Sequence, residues 1–175
     1  MEKRILLRNM RKEDTQDLFE IFSDPQSTKY WLGRCDTMDE LKRMLKVEYF
    51  SYLKRGLSPP KVIVLDKRVI GVINFNEAFD GIGRIGFILN RLYEHHGYMK
   101  EALEMFMREG FEKLGYHRIE ALVFHDNEKS ARTLKSVGFS YEGTMRSYLR
   151  YQGRLIDIDL FSRLRREYDE ERIVG

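Results

Sequence analysis

Residues Leu92 to Ala102 read LYEHHGYMKEA. Within that stretch an apolar run stops, Gly97 turns the chain, and a long amphipathic helix begins at once. A strand that feeds a helix through a tight turn leaves the first helical amides unpaired and pointing outward, where they favour an anion such as a pyrophosphate. Downstream, Met99, Ala102, Leu103, Phe106, Gly110 and Leu114 recur on one helical face, and Gly115 stops the helix. The residues before it, Arg84 to Asn90, and after it, Ile119 to Phe124, are short β-rich runs. A strand, a helix of this length and a second strand make a right-handed crossover, so the two strands are expected to lie parallel and adjacent.

Toward the N-terminus, Met1 to Arg8 reads as a first strand, and a helix through Leu18, Phe19 and Phe22 ends at Asp24-Pro25. Thr37-Met38-Asp39-Glu40 has capping-box spacing, and Leu41, Met44, Leu45, Tyr49 and Tyr52 follow at helical intervals up to Gly56. From Lys61 the period changes. Val62 to Leu65, Val69 to Phe75 and Arg84 to Asn90 are linked by Asp66-Lys67-Arg68 and by Ala78 to Gly83, links short enough for an antiparallel meander. Toward the C-terminus, a helix from Asn127 to Val137 has Asn127 as N-cap and Gly138 as its left-handed stop. Two strands, about Tyr141 to Tyr151 and Arg154 to Leu164, then turn at Gln152-Gly153. The fold class is α+β: a mixed, mostly antiparallel sheet of six to seven strands with one splayed parallel pair, covered by about four helices.

A chain of 175 residues with 42% hydrophobic content buries one good core, so a single domain over 1–175 is expected. The lone cysteine, Cys35, excludes an internal disulfide framework and a cysteine-rich zinc cluster, and no metal is expected. No apolar run of signal-peptide or membrane-spanning length occurs, which predicts a soluble cytoplasmic protein with no membrane partner. The net charge of +3 comes from intermixed signs, and the cluster Arg163, Arg165, Arg166 is followed at once by Glu167, Asp169, Glu170 and Glu171. That pattern argues against a nucleic-acid partner.

The order of these elements, together with several residues, resembles the GNAT N-acetyltransferase superfamily. The branch is that of the ribosomal-protein N-terminal acetyltransferases and the spermidine N-acetyltransferases. The landmarks are Asp24-Pro25 through Tyr30-Trp31, Ile70-Gly71, Ile85-Gly86-Phe87, Gly97-Tyr98 with Glu101-Ala102, and Leu114 to Ile119. Asn127 to Ser130, Gly138-Phe139, Glu142-Gly143, Arg146 and Gly153-Arg154 with Asp157 complete them. The resemblance implies direct transfer of an acetyl group from acetyl-CoA to an amine in a ternary complex. It assigns the backbone of Phe87, Ile88 and Leu89 to the pantetheine arm, and the amides from His95 to Met99, including His96, Gly97 and Tyr98, to the pyrophosphate. Asn127 and Ser130 would lie beside the pantetheine and the sulfur, and a strand N–H near Leu89 would stabilise the oxyanion. A homodimer, common in that branch, is also implied, with the C-terminal hairpin and the tail from Tyr168 to Gly175 as its surface.

This chain departs from the family pattern in the phosphate turn, where Glu94, His95 and Met99 replace the usual Gln or Arg, Gly, and Gly or Ala. Glu94 brings a negative charge toward an anionic ligand and Met99 crowds the helix start, which predicts weak affinity. The tyrosine that many members use to protonate the leaving thiolate falls at Leu134, and the carboxylate common on the cofactor strand falls at Arg84. Glu77, Ser130 and His125 are the candidate replacements: Glu77 as a proton acceptor, Ser130 as donor to the departing sulfur, and His125 in either role. Missing acid–base groups handicap a lysine-like amine of pKa about 10.4 more than an α-amine near about 8. Three readings follow: an N-acetyltransferase for a protein or peptide N-terminus; one for a polyamine, amino sugar or amino acid; and a non-catalytic acyl-CoA-binding module. A polycationic acceptor would need convergent carboxylates, for which Glu77, Asp80, Asp36, Asp39 and Glu40 are available.

Overall fold

The computed structural model describes residues 4–54 and 56–174, with the side chains of 48–50, 53 and 174 left aside. Among the described residues the elements run β1 (Leu6–Asn9), α1 (Thr15–Ser23), α2 (Met38–Lys54), β2 (Lys61–Leu65), β3 (Arg68–Phe79) and β4 (Ile82–Leu89). After them come α3 (Tyr98–Arg108), β5 (Arg118–Phe124), α4 (Glu128–Lys135), β6 (Ser140–Tyr151), β7 (Arg154–Leu164) and α5 (Arg165–Val174). The strands form one mixed sheet in the order β1-β2-β3-β4-β5-β7-β6. The pairs β1–β2, β2–β3, β5–β7 and β6–β7 are antiparallel, and β4–β5 is the expected parallel pair. The parallel register runs from Ile82↔Arg118 to Ile85↔Ala121.

Two compact units can be distinguished, Met1–Phe75 with Phe87–Met105, and Asn76–Gly86 with Phe106–Gly175. In the first, α1 and α2 bury Leu18, Ile21, Phe22 and Leu41 with Val62, Val64, Val69, Val72 and Ile88 of the strands. The capping box forms as its spacing requires: Glu40 N donates to Thr37 Oγ1 at 3.2 Å, and Thr37 N donates to the Glu40 carboxylate at 3.2 Å. Trp31 packs against this core and stacks obliquely on Phe22, and Tyr52 is buried with its hydroxyl against Asn74, so these aromatics are structural. The side chains of Tyr49 and Phe50 lie outside the described residues, as do Met1 to Lys3 of the expected first strand.

In the second unit three expectations need correcting. The link from Ala78 to Gly83 shrinks to a turn at Asp80 (φ 48°) and Gly81 (φ 73°), because β3 continues through Phe79 and β4 starts at Ile82. Glu77 is therefore a strand residue and not a loop residue. The last turn of the long helix widens into a π-turn over Glu109–Lys113, with Leu114 N donating to Glu109 O. One extra residue in a turn rotates everything after it: Phe111 becomes fully buried and Leu114, expected in the core, is 38% exposed. Beyond β7 the chain forms a fifth helix, α5, where the sequence reading has only a tail. Its sequence is almost wholly charged and polar, so it lacks an apolar period; Arg165–Asp169 and Arg172–Glu112 pairs and the buried Tyr168 hold it instead.

The basic cluster is also not the surface patch its composition suggests. Arg163 is 4% exposed, with its guanidinium donating to Val137 O and paired with Glu171, and Arg165 donates to Phe111 O. The Arg163 guanidinium lies against the left-handed stop of α4, where Phe139 N donates to Leu134 O at 3.1 Å around Gly138 (φ 81°). A Cβ on Gly138 would sit 2.8 Å from Arg163 Cζ, whereas one on Gly115 (φ 72°) would meet nothing within 4 Å. Gly115→Ala is expected to cost about 1–2 kcal/mol, the left-handed strain alone, and Gly138→Ala a further ~1–3 kcal/mol of overpacking. Equal losses in urea denaturation would show that Arg163 yields.

Candidate active site

The first unit holds the turn that the sequence assigns to phosphate. Asn90 is buried, and its side-chain oxygen accepts from Leu92 N at 3.0 Å, which starts a single 3-10 turn over Arg91–Tyr93. Arg91 anchors that turn to the Asp24-Pro25 loop: its N donates to Ser27 Oγ at 3.1 Å and its guanidinium pairs with Asp24 at 3.2 Å. His95 (φ 64°) and Gly97 (φ 80°) are both left-handed, a backbone shape that gathers consecutive amides into an anion-binding concavity. Helix α3 then starts at Tyr98, and its first hydrogen bond closes from Glu101 N to Gly97 O at 3.1 Å. The amides of Tyr98 and Met99 therefore precede the helical ladder and have no partner within it.

Met99 does not crowd this helix start. Its side chain is 8% exposed and belongs to the core. His96 and Tyr98 stack at 5.6 Å, and His96 Nδ1 donates to Glu94 O at 2.6 Å, so these side chains brace the turn from outside.

A residue the sequence reading missed completes it. The Glu101 carboxylate accepts from Arg4 N at 2.8 Å, Ile5 N at 3.3 Å and Arg4 Nε at 3.1 Å. The Arg4 guanidinium then donates to His96 O at 3.0 Å and lies 4.8 Å above the Tyr98 ring. Arg4 thus places a cation at the turn, opposing the charge of Glu94. No local signal marks it, because 97 residues separate it from Glu101.

In the second unit, Arg84 on β4 lies opposite Glu120 on β5 and donates to it at 3.2 Å, while its other guanidinium nitrogen pairs with Glu77. Glu120 also accepts from Arg118 at 2.8 Å, and Arg118 grips Glu142 of β6 with both terminal nitrogens. Ser162 of β7 donates to Glu142 at 2.6 Å. The result is a ladder of charge across neighbouring strands in which each carboxylate is already engaged. The Arg118 guanidinium and the Ser162 hydroxyl hold the Glu142 carboxyl down to about 2. Where the family resemblance implies a carboxylate, this chain places an arginine between two acids, and Glu77 is an ion-pair partner.

Asn127 caps α4, accepting from Ser130 N at 3.2 Å and donating from Nδ2 to Ser130 Oγ at 3.0 Å. The two residues assigned to the sulfur end of the cofactor are thus locked to one another. Leu134, at the usual tyrosine position, is fully buried. His125, just past β5, has a 61% exposed side chain, and its Nδ1 lies 2.9 Å from Asp159 of β7. That hydrogen bond and charge raise the imidazole pKa above its ordinary 6.5. Tyr151 packs edge-on against Phe124, and Tyr148 is exposed on β6. Among the described residues no group of three or more His, Cys, Asp or Glu side chains could hold a metal ion, and no helix is long and apolar enough to cross a membrane.

A crossover that ends one strand in an amide-lined turn, followed by a parallel neighbour and a helix capped by asparagine, is the arrangement expected of an acyl-CoA-dependent transferase. The model of the acetyltransferase (GNAT) domain matches residues 4–140, and the chain belongs to that family, acyltransferases whose acetyl donor is acetyl-CoA. Over 95% of its length it is 34% identical to the "Uncharacterized N-acetyltransferase p20" of Bacillus licheniformis, 96% of which is covered. It is 28% identical to the [ribosomal protein uS5]-alanine N-acetyltransferase of Escherichia coli, over 73% of this chain and 62% of that one. The fold also resembles the crystal structure of spermidine N-acetyltransferase from Vibrio cholerae in complex with CoA and spermine. There the TM-score is 0.79 at 18% identity, covering 94% of this chain and 98% of that one.

The engaged charge ladder has a consequence for acid stability. A folded pKa near 2 against an ordinary 4.5 means that Glu142 stabilises the fold above pH 4.5 and loses that contribution as pH falls toward 2. Glu142→Gln is expected to be less stable than the parent at pH 7, with the difference closing between pH 4.5 and 2. Parallel stability curves over that range would contradict the coupling to Arg118.

Proposed function

We propose that this acetyltransferase acts on the α-amine of a protein or peptide N-terminus, by direct attack of the amine on acetyl-CoA in a ternary complex. Arg84 carries the reading. With the usual carboxylate position held by an arginine, and with Glu77 and Glu120 already in ion pairs with it, the site favours an amine that can be deprotonated without a free strand carboxylate. Between an α-amine near pKa 8 and a lysine- or polyamine-type amine near 10.4, the neutral fraction at pH 7.5 differs by roughly 200-fold. Three of the five acids that a polycation could use are engaged elsewhere: Glu40 in the capping box, Asp36 on Arg34, and Glu77 on Arg84. Likeness to the Escherichia coli enzyme named for a ribosomal-protein alanine supports the same choice.

The turn from His95 to Met99 is assigned to the pyrophosphate, with Glu101 and Arg4 holding it, and the backbone of Phe87, Ile88 and Leu89 to the pantetheine. Asn127 and Ser130 are assigned to the pantetheine and sulfur. A small-molecule acceptor is the alternative, and the fold shared with a spermidine N-acetyltransferase is what favours it.

Thiol release from acetyl-CoA decides between them when a panel of short peptides with free N-termini is set beside polyamines, amino sugars and amino acids. The peptides are expected to be turned over with kcat/KM at least about 10-fold above the small amines; the reverse ranking overturns the reading. Gly97→Val, which forces a branched side chain into a left-handed position, is expected to abolish acetyl-CoA binding in calorimetry. Glu101→Ala, which frees Arg4 and the turn, is expected to weaken it about 10-fold, comparable to losing one charge-assisted hydrogen bond.

A further inference from the structure

The chain lacks the family's usual acid–base groups at Leu134 and Arg84, and of the three replacements two do not serve as the base. Glu77 is held by Arg84, and Ser130, whose Oγ accepts from Asn127 Nδ2, keeps a hydroxyl proton to donate. The third, His125, has a different environment. Its Nδ1 meets Asp159 Oδ1 at 2.9 Å, and the same oxygen accepts from Thr144 Oγ1 at 2.6 Å. Tyr141 OH lies 2.7 Å from Thr144 Oγ1. Thr144 has a single hydroxyl proton and gives it to Asp159, so Tyr141 must donate to Thr144. The direction of the whole chain is thereby set: Tyr141 to Thr144, Thr144 to Asp159, and His125 Nδ1–H to Asp159.

An imidazole whose Nδ1 carries the donated proton presents Nε2 as a lone pair, and here that edge belongs to a ring that is 61% exposed. The anchor is the opposite. Asp159 is 8% exposed, on β7 opposite Val123 of β5 and Thr144 of β6, in a strand whose neighbouring Ile158 and Phe161 are core. A buried carboxylate in such a position costs stability unless it is paired and hydrogen-bonded. Its partners here are a hydroxyl and a surface histidine that the packing of the sheet does not require.

We propose that His125 and Asp159 form the base dyad of the acetyl transfer, His125 Nε2 being the catalytic group and Asp159 the positioning residue that fixes its tautomer and orientation. The proposal rests on the acetyl-transfer reading above. The acceptor ammonium gives one proton to His125 Nε2, and the freed nitrogen pair attacks the thioester carbonyl, forming the C–N bond. The C–S bond then breaks with its electron pair on sulfur, and the second ammonium proton leaves nitrogen for that thiolate. The imidazolium returns its proton to solvent. Atoms and charge balance without any further reactant, and no group at Leu134 is required.

The charged groups acting most strongly on the ring are acids: Asp159 and Asp157 from β7, and Asp126 from its own loop. Strand β6 contributes the hydroxyls of Thr144 and Tyr141. Asp157 does not compete for the ring, because its carboxylate accepts from Ser147 N at 2.7 Å. These acids favour the imidazolium, so the base form should be reached only above the ordinary 6.5.

The test is steady-state transfer to the best peptide acceptor as a function of pH, for the parent, His125→Ala, Asp159→Asn and Thr144→Val, with melting curves alongside. His125→Ala removes an exposed ring but leaves Asp159 with Thr144 alone, so the melting temperature should fall by a few degrees, while acetyl-CoA KM holds and kcat falls about 100-fold. Asp159→Asn should lower kcat at least ~10-fold and move the acid limb of kcat/KM to lower pH, a shift that a loss of packing alone would not produce. Thr144→Val should shift the limb the other way, since Asp159 loses a competing donor.

A kcat for His125→Ala within twofold of the parent overturns the dyad and leaves acetyl transfer standing. An acid limb unmoved in Asp159→Asn overturns the positioning role. A parent protein inactive toward every amine overturns both the dyad and the reading beneath it.

Discussion

Strand β5 runs parallel to β4, with Arg84 opposite Glu120, and a parallel neighbour cannot be reached by a hairpin. The chain must leave the carboxyl end of β4, cross back as a helix and re-enter in the same direction. That requirement places the start of α3 beyond the Asn90 to Gly97 turn that follows β4, and with it the amides of Tyr98 and Met99 that precede the helical ladder. Outward-pointing amides at this turn are therefore a by-product of sheet topology. The side chains leave that backbone shape intact: His95 adopts the left-handed backbone and Met99 turns into the core.

Backbone-determined features were accordingly the legible ones. Gly97, Gly138 and the Thr37–Glu40 box announce themselves within a few residues, and each forms where its punctuation implies. The misread features depend on partners far along the chain. Leu114 has helical spacing from Phe106 and Gly110, yet the π-turn at Glu109–Lys113 rotates it outward, and no periodicity count includes an inserted residue. Helix α5 has almost no apolar face and is held by Glu112 and by Phe111 O, both more than 50 residues earlier. The extension of β3 to Phe79 was hidden in the same way, since Asn76 and Glu77 look like loop residues until Arg84 across the hairpin pairs with Glu77.

The site divides along the same line. His125 could be nominated from its chemistry alone, but nothing local distinguishes an idle surface histidine from an oriented one; the difference is Asp159, 34 residues later. Arg4 was invisible for the same reason. Arg84, conversely, could be seen in sequence as a missing carboxylate, and the structure adds what sequence could not: the vacancy was not left for Glu77 to fill. An arginine with acids on both sides holds both in ion pairs, so neither strand presents an unengaged carboxylate.

Asp157 and Asp159 sharpen this point, since alternate residues on one strand share a face and look equivalent in sequence. Their partners separate them. Asp157 accepts a backbone amide, Ser147 N, at the place where β6 is irregular and Ser147 takes φ 52°, so it secures a bulge in the sheet. Asp159 accepts only side-chain donors, Thr144 and His125, neither of which closes a turn or completes a ladder. A carboxylate that repairs the backbone is explained by the fold. One that is buried mainly to hold an exposed imidazole is not, because a surface ring can be solvated at no cost while a buried acid cannot. The asymmetry between two chemically identical residues on one face of β7 is what the proposed dyad rests on.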